Sequence, residues 1–272
     1  MDNYSVKFRH TVPTFLFVAF GTTIVTLTFR WVFTINSEIL PIKEDVFHIW
    51  LPLILPWIPI SVWLRPKLRI LKFKKEGSDA PMLFQFIAWG TMVAMMIVSN
   101  AYLKTASGSL EVINSIGQLL ENDTRYVSIE EVELDRQYGS AHTEFRASGK
   151  HNQYLNFDSY FVYPFSGGSK DNVQRWYGVK FHKQISNKIE PEEKEEKYQA
   201  FFEQAVEDFE SYDFNEADYL EILPHSDDRQ GFLKAIERIS EFTNTKPVIL
   251  EPKEGSYETR NGKKFEWIFG SF

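Results

Sequence analysis

The sequence predicts a membrane protein in two parts: three transmembrane helices, then an extracytoplasmic α+β domain with a mainly antiparallel sheet. Three observations carry that reading. Apolar residues crowd the first hundred positions of the 272-residue chain, one strongly basic loop separates two of the apolar runs, and the remainder turns polar and acidic. The parts are a three-helix transmembrane region, 1–103, and an acidic domain, 104–272.

Residues 11–35 carry no charge but Arg30, residues 47–64 none besides His48 when protonated, and residues 82–103 none. At 1.5 Å per helical residue, runs of roughly 18 to 25 residues match the ~30 Å hydrocarbon core of a bilayer. Buried helices of a large soluble protein are also apolar all round. The other 169 residues, however, are too few and too polar to wrap three such helices.

The second run contains Pro52, Pro56 and Pro59. Proline removes a backbone donor, and membrane helices accept it where neighbouring helices satisfy the freed carbonyls. The spacing i, i+4, i+7 puts all three on one face, so this helix is expected to kink with that face against protein rather than lipid. A packing kink accounts for the pattern; a hinge or substrate groove is the functional alternative.

Loop charge sets the orientation. Residues 65–81 hold Arg65, Lys67, Arg69, Lys72, Lys74 and Lys75 against Glu76 and Asp79, which makes this loop cytoplasmic by the positive-inside rule. The loop 36–46 holds Lys43 against Glu38, Glu44 and Asp45 and suits the outer side, while Lys7, Arg9 and His10 agree with a cytoplasmic N-terminus. Arg30 and Trp31 then read as a snorkelling charge and an aromatic anchor at the outer interface. Three crossings from an inside start deliver everything after Leu103 to the outside. The first run is too long for a signal-peptide core and no small-x-small cleavage site follows it, so it is expected to remain as an anchor. With no cysteine in the chain, disulfides cannot staple the domain.

Residues 104–272 hold 20 Lys and Arg against 31 Asp and Glu, a net of −11. Nucleic acid is excluded as a partner on that balance, since phosphate binding needs clustered positive charge. Enrichment in β-branched and aromatic residues predicts strands over 126–134, 154–165 and 176–185, the last two flanking the polar link SGGSKDNVQ, with shorter strands at 219–223 and 248–250. A helix is expected over 190–212. Pro191 suits its first turn, Tyr198, Phe201, Phe202, Ala205, Val206 and Phe209 recur at helical spacing, and Glu190 with Lys194 and Glu193 with Lys197 form i,i+4 pairs. Phe202 is expected in the core and Glu203 on the solvated face. A second helix over 228–242 places Phe232, Ala235, Ile236 and Ile239 on one side. The chain has no internal repeat.

Candidate chemistry centres on the external histidines His142, His151, His182 and His225. His142 lies two residues from Glu144, and His225 just precedes Asp227 and Asp228, but neither fits HExxH or a zinc-finger spacing. They read as surface or hydrogen-bonded groups. Glu203, Glu207, Glu210, Asp213, Glu216 and Asp218 lack the DxDxDG pattern of a calcium loop and read as a solvated face. Gly167-Gly168-Ser169-Lys170 satisfies neither a P-loop nor a GxSG serine motif and reads as a loop. Within the apolar runs no ionisable residue lies mid-helix, and Gln85, Ser99 and Asn100 fit interhelical hydrogen bonds or helix ends. The residues therefore assign no catalytic, cofactor-binding or metal site, and no cofactor.

In order, the segments LPLILPWIPISVWLRPKL, SGKHN, GVKFHKQISNK, EEKEEKY and RNGKKFEWIFGSF resemble the amino-terminal region of large rhomboid-family intramembrane serine proteases from Bacteroidetes, along all 272 residues. The resemblance implies a periplasmic domain ahead of a six-helix core, whose serine lies in GxSG and whose histidine lies on another membrane helix. This sequence contains neither, and no catalytic residue carries over. The implied role is a non-catalytic, membrane-anchored accessory region for substrate selection or regulation. Its implied partners are the lipid bilayer, a rhomboid catalytic core and membrane-protein substrates. After Lys263 and Lys264, the residues Phe265, Trp267, Ile268, Phe269 and Phe272 would begin a further transmembrane helix. Two other classes stand beside this one: a stand-alone membrane-anchored binding or scaffolding protein, and an enzyme built on the external His and carboxylate residues.

Overall fold

The computed structural model describes residues 3–36, 40, 42–70, 80–119, 124–170, 173–242 and 245–260. Most of the basic loop and the aromatic end after Arg260 lie outside the described residues. The chain forms two compact units, divided after Ser107.

In the first unit three helices are long and apolar enough to cross a membrane, over Lys7–Ile35, Val46–Ile70 and Pro81–Ala106. They belong to α1 (Asn3–Arg30, continued by a wider turn to Asn36), α2 (Val46–Ile70) and α3 (Ala80–Ala106). Val18, Ala19, Ile60, Leu64, Leu68, Ala88 and Met92 meet between them. Phe17, Val25, Ile54, Trp63 and Leu83 are exposed on their surfaces, and so broad an apolar surface is poorly solvated by water.

Pro52, Pro56 and Pro59 are buried together, as their spacing requires. The helix absorbs them by alternating α-helical turns with wider π turns at Val46–Trp50 and Ile60–Leu64. At the interruption the Leu53 carbonyl accepts a hydrogen bond from Trp89 Nε1 of α3, 2.9 Å away, and Trp57 stacks on Trp89. The kinked face is thus turned to protein.

Arg30 does not snorkel outward. It is 2% exposed, and Nη1 donates to the main-chain oxygen and Oδ1 of Asn100 at 3.1 and 3.2 Å. Nη2 lies 3.6 Å from Glu44, and the guanidinium sits 5.1 Å from the centre of the Phe47 ring. Lys104 also binds Glu44. A buried cation needs groups that replace its hydration, and α3 and the segment before α2 provide them. Trp31, next in sequence, is half exposed.

The second unit is a seven-stranded sheet with a helix on each face. Its strands are β1 (Leu110–Ile113), β2 (Tyr126–Ile129), β3 (Ser140–Ser148), β4 (Tyr154–Lys170), β5 (Val173–Ser186), β6 (Tyr219–Ile222) and β7 (Lys246–Lys253). They pair in the order β1-β2-β6-β7-β5-β4-β3. The sheet is mixed rather than mainly antiparallel, because β1 runs parallel to β2 and β5 parallel to β7. Strands β1 and β3 have no counterpart among the expected elements; β3, SAHTEFRAS, has too few apolar residues to stand out.

Helix α4 (Pro191–Glu210) packs against Phe157, Phe161, Phe165, Tyr177 and Val179. Helix α5 (Asp227–Ile236) packs on the other face, against Tyr160, Val162 and Trp176. Alternate residues of β4 thus enter two different cores, so its sequence shows a nearly continuous apolar run instead of an alternation. Contact on the α5 side is close and reciprocal. A Cβ at Gly231 of α5 would meet the Tyr160 ring at 2.3 Å, and one at Gly178 of β5 would meet Phe232 at 2.9 Å.

Gly167–Lys170 is not a free loop. After a register shift between Pro164 and Ser169, Ser169 and Lys170 pair with Gln174 and Val173. Gly167, at φ +68°, supplies the left-handed residue that such a bulge requires.

On α4 the fully buried positions are Phe201, Ala205 and Phe209, while Phe202 is only half buried. Phe209 stacks on Tyr163 and tilts against Phe161, with centroids 4.8 and 4.9 Å away. Phe209→Ala is expected to destabilise the domain by about 3 to 5 kcal/mol. Glu203→Ala, on the exposed face, is expected to change stability by less than about 0.5 kcal/mol. Thermal melts of residues 108–260 carrying each substitution check this; equal shifts would remove α4 from the core.

Candidate functional site

Register places a polar row on the α5 side of β3, β4 and β5. Asp158 stands opposite Glu144 and His182, Tyr160 opposite His142 and Lys180, and Asn156 opposite Arg146 and Gln184. Cross-strand partners share a face, so these nine side chains form one surface. Helix α5 covers its Tyr160 end, and His182 keeps half of its side chain exposed.

Asp158 is the anchor of the row. Its Oδ1 lies 2.8 Å from His182 Nδ1 and 3.1 Å from Lys180 Nζ. Lys180 also donates to Asp228 Oδ1 at 2.7 Å, and the Tyr160 hydroxyl donates to the same oxygen at 3.1 Å. Asp228 sits in the first turn of α5, whose start is fixed by Ser226 Oγ accepting from the Arg229 amide. Burial alone would raise the Asp158 carboxyl, but the hydrogen bonds from His182 and Lys180 outweigh it and hold the group below its ordinary 3.8. Burial alone would lower Lys180, but Asp228 and Asp158 hold it above 10.5. Burial first, then the charge of Asp228, pushes the Tyr160 hydroxyl far above its usual range, so it remains a donor.

Glu144 gathers a second group. It accepts from Lys234 at 2.5 Å and lies 3.6 Å from His142 Nε2 and 3.8 Å from Arg146. Arg238 donates to the Ala141 carbonyl at 2.8 Å and lies 3.1 Å from His142 Nδ1. A guanidinium only donates, so Nδ1 of His142 is the acceptor. Burial, reinforced by the charge of Arg238, holds this histidine below 6.5.

The other candidates separate. His225 lies 3.0 Å from Arg229, and Asp227 lies 3.7 Å from Arg146. His151 is exposed on a left-handed turn at φ 58°. Glu203, Glu207 and Glu210 are exposed along α4, and Asp213 and Asp218 accept from the amides of Asn215 and Gly255. Among the described residues no group of three or more His, Asp and Glu is arranged to hold a metal ion.

Asp158 was not a sequence candidate, and the bulge explains why. Counting outward from the Ser169–Gln174 pair, an unbroken hairpin would set Asp158 opposite Ile185; the register shift sets it opposite His182 instead. With Nδ1 held by a carboxylate, His182 can take or give a proton at Nε2. Tyr160 is the one hydroxyl in its network among the described residues, and burial holds that hydroxyl protonated.

The sign of the pH dependence follows from the two shifts. The depressed Asp158 contributes stability that is present above pH 3.8 and lost as pH falls through its folded value. The raised Lys180 contributes stability that is present below pH 10.5 and lost as pH rises through its own. Asp158→Asn is therefore expected to flatten the acid limb of a stability-versus-pH curve, and Lys180→Met the alkaline limb. Denaturant melts from pH 3 to 11 test this; unchanged limbs would mean that the network is not formed.

Comparison of the chain with protein-family models, curated proteins and solved structures found no match.

Proposed function

We propose that this chain is a non-catalytic, membrane-anchored accessory region that selects or regulates the substrates of an intramembrane protease, the role implied by its resemblance to the front end of rhomboid-family proteins. One observation carries the reading: in the apolar unit, the buried cation Arg30 and its neighbour Lys104 close on the same carboxylate. Glu44 is shared by Arg30 and Lys104, and Nη1 of Arg30 donates to Asn100. That arrangement holds helices together and offers no reacting group to a substrate. In the domain, His182 has an orienting carboxylate but no serine, threonine or cysteine in its network among the described residues.

In this reading the three helices cross a bacterial inner membrane, with the N-terminus and the basic loop 65–81 in the cytoplasm and the acidic domain outside. The domain is also tied across its own ends, the Tyr257 hydroxyl donating to the Gly108 carbonyl at 2.7 Å. That closure favours a second reading, a stand-alone membrane-anchored binding or scaffolding protein.

Topology reporters fused after Lys75 and after Asp158 are expected to report opposite compartments, and a fluorophosphonate probe is expected to leave Ser107, Ser109 and Ser169 unlabelled. Reporters on the same side would overturn the orientation, and specific labelling would overturn the non-catalytic role. Photo-cross-linking from exposed residues of the domain in intact membranes then separates the two readings. Capture of a membrane protease or its substrates supports the first, and capture of other membrane proteins alone supports the second.

A further inference from the structure

We infer that the outer edge of β3 captures an extended segment of a partner polypeptide by strand addition, and that this segment alternates apolar with acidic residues. The inference rests on the accessory reading and names what the domain would hold.

The two edges of the sheet differ. β1 has four residues, whereas β3 pairs with β4 through nine consecutive residues with no bulge, proline or glycine. Long regular edges are commonly guarded against pairing. In an antiparallel pair, alternate residues direct their backbone groups to the partner strand. Asn156 of β4 reaches the Arg146 carbonyl, and Arg238 reaches the Ala141 carbonyl from α5. Even-numbered residues of β3 therefore face β4, and the backbone groups of Ala141, Thr143, Phe145 and Ala147 face outward. Arg238 caps the first. Those of Thr143, Phe145 and Ala147 have no hydrogen-bond partner among the described residues, so a short strand can pair with them.

Side chains along the edge set the chemistry of that strand. On the α4 side Phe145 is 55% exposed and meets Tyr198 at 4.9 Å between ring centres. A residue paired with Phe145 would place its side chain on this aromatic surface. On the α5 side, Arg146 and Lys234 are half exposed and Arg238 lies beside them, against Glu144 and Asp227. Three cations face two acids there, in a domain whose net charge is −11. Neighbouring residues of the bound strand would point to this side and meet surplus positive charge. The fitting partner is thus an extended peptide, apolar toward Phe145 and acidic at the flanking positions.

The test uses the full chain in lipid nanodiscs and a fluorescent heptapeptide alternating Val and Glu. Ala147 is exposed, and its outward N–H takes no part in the β3–β4 ladder, so Ala147→Pro removes an edge donor at a position where proline is tolerated. The expected result is saturable binding, weakened at least tenfold by Ala147→Pro with an unchanged circular-dichroism melt. Hydrogen exchange should slow over residues 143–147 when the peptide is bound. Arg146→Glu should weaken the Val/Glu peptide and favour a Val/Lys one. Should Ala147→Pro shift the melt, the Arg146→Glu charge swap decides alone. No binding by the wild type, equal binding of the two peptides, or exchange protection that appears with protein concentration and no peptide would overturn the inference, the last by making a second copy the occupant. Cross-links to a protease or its substrates from other faces of the domain would then leave the accessory reading standing while the edge inference fell.

Discussion

The β4–β5 hairpin is the constraint on which the domain depends. It lies inside the sheet, with β3 on one flank and β7 on the other, and a helix covers each face. Both faces must therefore be apolar where helices press on them, and each helix must match the face it meets. Helix α4 meets large rings with large rings, Phe201 and Phe209 against Phe157, Phe161 and Tyr163. Helix α5 instead comes close enough that glycine is needed on both sides, Gly231 beneath Tyr160 and Gly178 beneath Phe232. That close seating brings Asp228 within reach of Lys180 and Tyr160, so packing positions the polar row.

A second regularity runs through both units: one carboxylate serves several basic groups. Glu44 holds Arg30 and Lys104; Asp158 holds His182 and Lys180; Glu144 gathers Lys234, Arg146 and His142; Glu221 takes Arg125 and Lys253. A cation loses hydration when it is buried and is retained only where anions and carbonyls replace it. The chain has 37 acidic residues, and most of those among the described residues are exposed. Glu44, Asp158, Glu144 and Glu221 are buried or partly buried and each is tied to more than one base, so removing any of the four would leave more than one basic group without that partner. Such groups build structure first.

The polar row and the open edge of β3 share a strand. Glu144 and Arg146 contribute side chains to the row, while Thr143, Phe145 and Ala147 turn their backbone groups outward. A peptide added at the edge would lie beside Glu144 and its bases. Binding there would be felt by the contacts that join β3 to α5, the Lys234–Glu144 ion pair and the hydrogen bond from Arg238 to the Ala141 carbonyl.

Length and period were legible in the sequence because they are local. Three apolar runs long enough to cross a bilayer, the buried face of Pro52, Pro56 and Pro59, helices α4 and α5, and the cores of β2, β4, β5, β6 and β7 all follow from residue spacing alone. Pairing was not legible. β1 and β3 carry too little apolar pattern to be seen before a neighbour completes them, and the parallel alignment of β5 with β7 joins segments far apart in the chain. Arg30 turned inward because Asn100, seventy residues on, offered it a carbonyl and an amide. The Asp158–His182 pair was decided by a bulge that shifts the hairpin register, and a register is a property of two strands together. The sequence by itself determined which segments are helical, stranded or apolar; the tertiary structure alone decided which of them meet, because a side chain's partner is chosen across space by packing and charge.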